Sequence, residues 1–448
     1  MHGHSDETER LSAAIFAYAA GRLRLDPVPL DAPRPPAELA ALAGPTVTQQ
    51  GLGGDEALRV FAEVLAPACV SIDHPRFLSF IPSAPTEAAM LFDLVVGVSS
   101  IFGGTWIEAA GAIHAENEAL RWVADLAGLP AAAGGVFVQG GTIGNLSALV
   151  TARHAARARR DGAPRRGVVV ASDQVHTSIV AAARVMDVDV VLVPTDSERR
   201  LRGHALRATL DEVGDDAFAV VATAGTTNLG IVDRIDEVAD ACAERGLWLH
   251  VDGAYGGAAL AAPSVRHLFD GIERADSFVV DPHKWLFAPF DCCALLYREP
   301  ALARAAHSQI AGYLDPVHTG DWNPCDYAVH LTRRARGLPF WFSLAVHGTR
   351  AYEDAVERTL AVARFAADEI RRRSEDLELL HEPDLSVVVF RRLGWGSAEY
   401  GDWSRGLLQS GDAFVVPTSH DGETVTRLAV VNPRTSEADI TAVLDTMS

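Results

Sequence analysis

Two charged residues follow short apolar runs in this sequence, and together they could do chemistry. The run LWLHV at residues 247–251 ends in Asp252, and the run SFVV at residues 277–280 leads through three further residues to Lys284. Short apolar runs of this kind are typical of buried parallel strands. Open α/β sheets bind their ligands at the carboxyl ends of such strands. The sequence therefore predicts that Asp252 and Lys284 lie at the same edge of one sheet.

A lysine and an aspartate at that edge would suit pyridoxal 5'-phosphate (PLP). A partly desolvated lysine has a lowered pKa and can act as a nucleophilic amine. An aspartate can hold a proton on a ring nitrogen, and PLP requires both anchors. Taken singly, an aspartate after a strand often caps a helix or turn, and a lysine there is often a solvated loop charge. Trp285 and Phe287, which follow the lysine, favour a packed site.

The ends of other predicted strands carry residues that could bind the phosphate or the ring of PLP. Gly140-Gly141-Thr142 lies between a predicted strand and a predicted helix, where backbone N–H groups and the helix dipole bind phosphate. His176, in the segment SDQVHTS, either stacks on a flat ring or is incidental to a capping loop. Thr223 ends a further strand and supplies a hydroxyl. Successive strand ends thus present Gly and Thr, His, Thr, Asp and Lys, which favours one cofactor site over independent coincidences.

The elements that must position these residues alternate between strands and helices. Strands are predicted at residues 135–139, 168–172, 189–193, 218–223, 247–251, 277–280 and 292–297. Helices lie between them, which predicts a doubly wound, mostly parallel sheet. After Arg336, a long helix at about 341–374 with a break near Gly348 precedes shorter elements. These are strands at 377–380, 385–390, 413–418 and 424–431 and helices at 397–409 and 436–446, which suit a small α+β domain.

The N-terminal part is predicted to be helical. Residues 7–24 and 55–66 have apolar residues at helical spacing, and a proline-rich linker separates them. Two such helices must pack on the main body or on a second subunit. Residues 86–101 are apolar nearly all round, as in a buried helix, and 107–127 form a long helix. The predicted organisation is an N-terminal helical segment at 1–72, a large α/β domain at 73–340 and a small C-terminal α+β domain at 341–448.

Composition restricts the partners and the compartment. The 448 residues are 48% hydrophobic and carry a formal net charge of −20. An acidic surface argues against nucleic acid and anionic membranes as partners. The five cysteines show no metal-like spacing, which predicts reduced thiols in a cytoplasmic protein without a bound metal. The polar N-terminus and the lack of a run of about 20 apolar residues predict neither a signal peptide nor a membrane span.

The motifs together resemble the PLP-dependent group II amino-acid decarboxylases, the family of the aromatic-L-amino-acid and glutamate decarboxylases. The similar text lies between His74 and about Trp341 and reads HPRF, QGGTIGN, SDQVHTS, ATAGTT, LWLHVDGAYGG, ADSFVVDPHKWLF, FDCCALLY and RRARGLPFW. The resemblance implies the type I PLP-enzyme fold, like that of aspartate aminotransferase. It also implies PLP as cofactor and a homodimer with shared active sites.

The resemblance also implies roles for individual residues. Lys284 forms the internal aldimine with PLP, Asp252 pairs with the pyridine nitrogen and His176 stacks on the ring. The other residues implied at the cofactor are Gly141, Thr142, Asp281 and His283 near the phosphate, Ala254 against the ring, and Thr223 near the ring oxygen or the aspartate. Tyr313 matches the tyrosine of a mobile loop that returns a proton to the substrate carbon.

The substrate is predicted less sharply than the cofactor. Asp281 stands where many relatives carry asparagine, and GGTIGN is closer to the glutamate and diaminobutyrate branch. FDCCALLY and Tyr313 are closer to the aromatic branch. Phe80, Phe102 and Trp106 are either aromatic pocket walls or core residues, and Ser83 is a candidate for a substrate contact.

The favoured hypothesis is decarboxylation of an aromatic L-amino acid to its amine and CO2. The alternatives are a decarboxylase of glutamate, 2,4-diaminobutyrate or another non-aromatic amino acid, an oxygen-using aldehyde synthase, and a PLP-binding homologue without activity. Relatives of the aldehyde-synthase kind lose the loop tyrosine or the stacking histidine, whereas this chain keeps Tyr313 and His176.

Overall fold

The computed structural model describes residues 2–159, 167–309 and 322–447, and a seven-stranded sheet forms its centre. The strands are β1 (Gly134–Val138), β2 (Val168–Ser172), β3 (Asp189–Val193), β4 (Ala217–Thr223), β5 (Trp248–Asp252), β6 (Ser277–Val280) and β7 (Cys293–Tyr297). Their order in space is β1-β7-β6-β5-β4-β2-β3. β7 pairs antiparallel with β1 and β6, and the other pairs are parallel. The predicted mostly parallel sheet is confirmed, with each strand close to its predicted bounds.

Both faces of this sheet are covered, which explains why its strands are nearly continuous apolar runs. Successive residues of a strand point to opposite faces. Phe137 and Val220 accordingly pack into one hydrophobic core. Val136, Val221 and Trp248 pack into a second core on the other face. Burial of β4, β5 and β6 along their whole length therefore fixes the sheet edge at which Thr223, Asp252 and Lys284 are presented.

Fifteen α-helices surround the strands in the described part of the chain. They are α1 (Asp6–Leu23), α2 (Pro36–Ala43), α3 (Gly54–Val60), α4 (Glu87–Ser99), α5 (Trp106–Leu126), α6 (Gly141–Arg159), α7 (Thr177–Met186), α8 (Gly203–Val213), α9 (Ile235–Arg245), α10 (Pro282–Trp285), α11 (Pro300–His307), α12 (Leu338–His347), α13 (Thr349–Arg372), α14 (Ser397–Ser410) and α15 (Glu437–Asp445). A π-helical turn, Phe61–Leu65, continues α3. None of these helices is both long and apolar enough to cross a membrane.

A second sheet forms the C-terminal part. Its strands are β8 (Leu377–Leu379), β9 (Val387–Arg392), β10 (Pro417–His420) and β11 (Glu423–Ala429), in the antiparallel order β10-β11-β9-β8. The break predicted near Gly348 is found, because α12 ends there and Gly348 has a φ of +75°. The boundaries at 72 and 340 remain predictions.

The strand predicted at residues 413–418 is wrong in its first half. β10 begins only at Pro417, and the preceding residues pair with a different part of the chain. Phe414 bridges Phe77, and the Ser79 hydroxyl donates to the Phe414 carbonyl oxygen over 3.0 Å. The apolar residues at the start of this run are buried because they pack against the segment around Ser79. A local sequence pattern cannot distinguish such packing from the pairing of a β-strand in a sheet.

The prediction that residues 86–101 form a fully buried helix is also wrong for the single chain. Helix α4 is present, but only Ala89 and Val96 on it are buried. Leu91, Val95 and Val98 are 44%, 44% and 73% exposed. One face of α4 therefore packs on the body of the protein, and its other apolar face is open.

Candidate active site

A cavity of about 450 Å³ opens at the carboxyl ends of the parallel strands. Every residue predicted to contact the cofactor lines it, namely Gly141, Thr142, His176, Thr223, Asp252, Ala254, Asp281, His283 and Lys284. The register explains part of this convergence, because Thr223 pairs with Asp252 across β4 and β5. Lys284 follows β6 on the short helix α10, which begins at Pro282. Proline suits the first helical position because it has no N–H to leave unpaired.

Lys284 is held by a neighbouring acid. Its Nζ lies 2.9 Å from Asp281 Oδ2, and the Asp281 side chain is only 2% exposed. Burial opposes the charged amine, but the Asp281 carboxylate and its hydrogen bond outweigh burial and raise the pKa of Lys284 above its usual value. The predicted lowering of this pKa is therefore wrong. Lys284 is also the only lysine in the sequence.

Asp281 occupies the end of the cavity where the phosphate is expected. Burial opposes its ionisation, but the positive charges of Lys284 and His283 lower the pKa of its carboxyl. Gly141 lies directly against it, since a Cβ at that position would stand 3.2 Å from Asp281 Oδ2 and 3.0 Å from the Ala254 side chain. Only glycine leaves room for so close an approach.

Asp252 is buried beneath the cavity and receives two hydrogen bonds. Its Oδ2 accepts from Asn145 Nδ2 over 2.8 Å, and its Oδ1 accepts from the backbone N–H of Ala254 over 3.1 Å. A carboxylate has about four acceptor sites. Two of these remain for a ligand, which is what a protonated ring nitrogen needs.

His176 stands at the N-terminus of α7, on the rim of the cavity. Its Nδ1 lies 2.8 Å from the Ser178 hydroxyl and accepts from the Ser178 backbone N–H over 3.2 Å. The ring is thereby held as the N-cap of α7. Nε2 is left without a partner among the described residues, so it is available to a ligand.

The residues present fit PLP. Lys284 supplies an amine for a covalent link, Asp252 an acceptor for the ring nitrogen, and the start of α6 a set of backbone N–H groups for a phosphate. Three polar atoms of the cavity lining are buried without a hydrogen-bond partner in the described chain: Thr223 Oγ1, Gln139 Oε1 and Asp281 Oδ1. Buried polar atoms normally have partners, so such a cluster indicates a polar ligand.

The sequence analysis missed a cation in the cavity wall. Arg427, on β11, is 6% exposed and lines the cavity. It donates to the carbonyl oxygens of Thr227 and Phe80, and it has no salt bridge within the described ranges. Burial lowers the pKa of its guanidinium. An arginine inside the apolar strand text TVTRLAVV was the available signal.

The candidate substrate residues divide into two groups. Phe80 lines the cavity and is 58% exposed, and Phe290, which was not predicted, also belongs to the lining. Ser83 is fully buried and its hydroxyl donates to the Ala288 carbonyl oxygen. Trp106 begins α5 and, like Phe102, does not line this cavity in the single chain. Tyr313 lies outside the described residues.

Comparison with known proteins identifies what this arrangement resembles. A family model described as the pyridoxal-dependent decarboxylase conserved domain matches residues 36–393. The aromatic-L-amino-acid decarboxylase of Bacillus atrophaeus is 31% identical over 389 residues, which are 83% of this chain and 80% of that protein. The L-2,4-diaminobutyrate decarboxylase of Rhizobium meliloti is 32% identical over 401 residues, 86% of this chain and 80% of that protein.

A solved structure has the same fold over its whole length. The crystal structure of Oryza sativa TDC with PLP and tryptamine superimposes with a TM-score of 0.91 and 26% identity, and the match covers 100% of both chains. The chain thus shares its fold with a protein whose crystal structure contains PLP.

Proposed function

Because the chain belongs to the pyridoxal-dependent decarboxylase family, we propose that it converts an aromatic L-amino acid to the amine and CO2. The family makes the chain a PLP-dependent carboxy-lyase with the type I fold. The observation that carries the aromatic proposal is the composition of the outer cavity. Beyond the cofactor residues, the cavity lining includes the rings of Phe80 and Phe290 and the cation of Arg427, and these three residues define what we call the outer cavity.

PLP, when bound, supplies an electron sink for the electrons released as CO2 leaves. The chain must hold it in place and keep its ring nitrogen protonated. Lys284 would carry the covalent link, Gly141 and Thr142 would bind the phosphate, and Asp252 would accept from the ring nitrogen. His176 would contact the ring. Asp281 Oδ2, at 2.9 Å from Lys284 Nζ, pairs with the protonated amine and holds it in the cavity, and the amine becomes a nucleophile only after its proton is lost to solvent.

Substrate orientation is assigned to the outer cavity. Arg427 lacks a carboxylate partner in the described chain and binds the carboxylate of the amino acid. Phe80 and Phe290 contact an aromatic side chain. Among the described residues, the only acidic side chains in the cavity lining are Asp252 and Asp281, which pair with Asn145 and Lys284 in its inner part. A cationic side chain such as that of 2,4-diaminobutyrate would lack a counter-charge there.

A second copy of the chain is proposed to complete the site. Phe80 and Phe290 are more than half exposed, and an open cavity would admit water. The apolar face of Leu91, Leu94, Val95 and Val98 on α4 is open as well, with Ile107 at 70% exposure. Exposed apolar patches of this kind mark interfaces. We propose a cytoplasmic homodimer that buries this face and also covers Phe80 and Phe290 at the mouth of the cavity.

The non-aromatic alternative has a specific observation in its favour. The diaminobutyrate decarboxylase of Rhizobium meliloti is as similar to this chain as the aromatic relative. The test is to supply the PLP-loaded protein with L-tryptophan, L-tyrosine, L-phenylalanine, L-glutamate and L-2,4-diaminobutyrate and to measure CO2 and amine. We expect kcat/KM for the best aromatic substrate to exceed the others by about 100-fold, or about 2.7 kcal/mol. A higher kcat/KM for diaminobutyrate or glutamate would overturn the aromatic assignment.

Tyr313 is proposed, from the family resemblance, to return a proton to the substrate carbon. Its phenol keeps its proton at neutral pH and can act as an acid. Tyr313→Phe preserves the ring and removes the proton. We expect CO2 release to continue while the amine yield falls and aldehyde, ammonia and peroxide appear in air. Oxygen uptake and amine are measured on the best substrate, and amine alone at the parent rate would assign the proton to another group.

A further inference from the structure

The buried amide of Asn145 connects Asp252 with His176, the two residues proposed to contact the ring of the cofactor. Asn145 is 1% exposed and sits on α6 beneath the cavity. Its Nδ2 donates to Asp252 Oδ2 over 2.8 Å and to the Ser178 hydroxyl over 2.9 Å. Because an ionised carboxylate only accepts, the contact with Asp252 fixes which end of the amide is nitrogen. The amide oxygen then faces His250 Nε2 at 2.8 Å.

His250 extends the chain of hydrogen bonds and fixes its direction. An amide oxygen only accepts, so His250 Nε2 carries a proton and donates it to Asn145. Burial lowers the pKa of His250 to about 4, despite the opposing charge of Asp252, so the ring is neutral and Nδ1 is an acceptor. The Ser277 hydroxyl, 2.8 Å away, therefore donates to Nδ1, and it accepts from Trp248 Nε1 over 2.8 Å.

The other branch leads to His176. The Ser178 hydroxyl accepts from Asn145, so its own proton is free to be donated. His176 Nδ1 already accepts from the Ser178 backbone N–H, which means that Nδ1 carries no proton. The hydroxyl proton thus points to Nδ1, over 2.8 Å. The ring proton of His176 must then be on Nε2.

We propose that Asn145 is a positioning residue that holds Asp252 as a hydrogen-bond acceptor and fixes His176 as the Nε2–H tautomer. An uncharged amide can serve both groups at once, because it donates two hydrogen bonds and takes no part in titration. The directed chain runs from Trp248 through Ser277 and His250 to Asn145, where it divides. The proposal rests on the proposed function only for its effect on turnover, because the hydrogen-bond directions follow from this chain alone.

The two branches can be separated by two substitutions. Asn145→Leu removes the amide at similar volume and breaks both branches. Ser178→Ala breaks only the branch to His176. Thr151→Val is the matched control, because Thr151 lies on the same helix α6, is fully buried and donates to the Ser147 carbonyl oxygen away from the cavity. Melting temperatures of all three identify any variant that fails to fold.

The readout is nitrogen NMR of the PLP-loaded protein. Two-bond ¹⁵N–¹H spectra report the tautomer of His176, and its signals are assigned as those that disappear in His176→Gln. A second measurement, on ¹⁵N-labelled PLP, reports whether the ring nitrogen of the cofactor is protonated. In the parent we expect the proton of His176 on Nε2 and a protonated PLP ring. Ser178→Ala should convert His176 to a tautomer mixture and leave the PLP ring protonated. Asn145→Leu should change both signals and lower kcat by about 10- to 100-fold, with KM altered much less.

Several outcomes would overturn the proposal. A proton on His176 Nδ1 in the parent contradicts the direction of the chain. Unchanged signals in folded Asn145→Leu, or equal changes in Thr151→Val, show that the amide has only a structural role. If Asn145→Leu does not fold, Ser178→Ala alone decides the His176 branch. If the parent holds PLP but decarboxylates no amino acid, the proposed function fails while the two nitrogen signals still decide the role of Asn145.

Discussion

Two buried ion pairs in this molecule are built differently. Glu116 and Arg333 form a two-pronged pair, with contacts of 2.7 and 2.8 Å. Glu116 Oε1 also accepts from the Gly337 backbone N–H, so both of its oxygens have donors. Asp281 and Lys284 share a single contact of 2.9 Å, and Asp281 Oδ1 has no hydrogen-bond partner in the described chain.

We interpret the difference as one between a structural pair and the pair proposed to act in the cavity. The Glu116 pair joins α5 to the segment before α12 through two parallel contacts and does not line the cavity, although Arg333 Nε is buried without a partner in the described chain. The Asp281 pair lines the cavity, and its incomplete bonding leaves the amine able to exchange its partner. A buried charge that loses its partner costs several kcal/mol, so the two-pronged pair holds its surroundings in place. The single-contact pair lines the cavity and can be remade when the cofactor binds.

The strongest test of this comparison is Lys284→Ala. We expect loss of covalently held PLP and of turnover, by about 1,000-fold or more, because the substitution removes the amine. The fold should be retained at lower stability, because Asp281 stays buried without its counter-charge. Borohydride reduction followed by mass spectrometry measures the adduct. Since Lys284 is the only lysine of the chain, no other side-chain amine can replace it. A PLP adduct at a second residue would contradict the assignment.

Glu116→Gln should affect stability instead of chemistry. It leaves the Arg333 guanidinium buried without its counter-charge, and we expect the free energy of unfolding to fall by about 3–5 kcal/mol. Denaturant unfolding measures this change, and borohydride-reducible PLP should persist in the folded protein. Glu118→Gln is the control, because Glu118 lies on the same helix α5 with 58% of its side chain exposed. A loss of stability equal to that of the control would remove the contrast between the two pairs.

Asp281→Asn should have the smallest overall effect of the three substitutions. Its main effect should be on the pH dependence of PLP binding to Lys284. Asp281 raises the pKa of Lys284, so its removal lets the amine lose its proton at lower pH. We expect the pH midpoint of the rate of PLP adduct formation to fall by about one unit, and turnover at neutral pH to change by less than about 10-fold. The rate is followed by absorbance after PLP is added to cofactor-free protein. An unchanged or higher midpoint would show that Asp281 does not control the amine.

The Asp281–Lys284 pair stabilises the folded state only within a defined range of pH. The pKa of Asp281 is lowered on folding, so its contribution is present above the unfolded-state value of about 4 and is lost as the pH falls through the folded-state value. The pKa of Lys284 is raised, so its contribution is lost only as the pH rises through a value above about 10. The difference in free energy of unfolding between the parent and Asp281→Asn should therefore be constant at neutral pH and diminish in acid.

The sequence alone determined the large sheet and the residues at its edge. The apolar runs that end in Thr223, Asp252 and near Lys284 could be identified because a strand buried on both faces has few other compositions. Parallel strands present their carboxyl ends at one edge of a sheet. Once the strands had been identified from the sequence, the proximity of these residues to His176 and Gly141 could therefore be predicted. The resemblance to a family of decarboxylases supplied PLP, which agrees with the matching family model.

Only the tertiary structure decided which side chains touch across distant elements. Asn145 and Asp252 are 107 positions apart, and their hydrogen bond depends on how α6 lies over β5. Arg427 reaches the cavity from the second sheet, whereas Ser83 turns inward to the Ala288 carbonyl oxygen. Hydrophobic periodicity specifies which face of an element is buried, but not which element covers it. The physical reason is that side-chain contacts depend on packing between elements, and local sequence does not encode that packing.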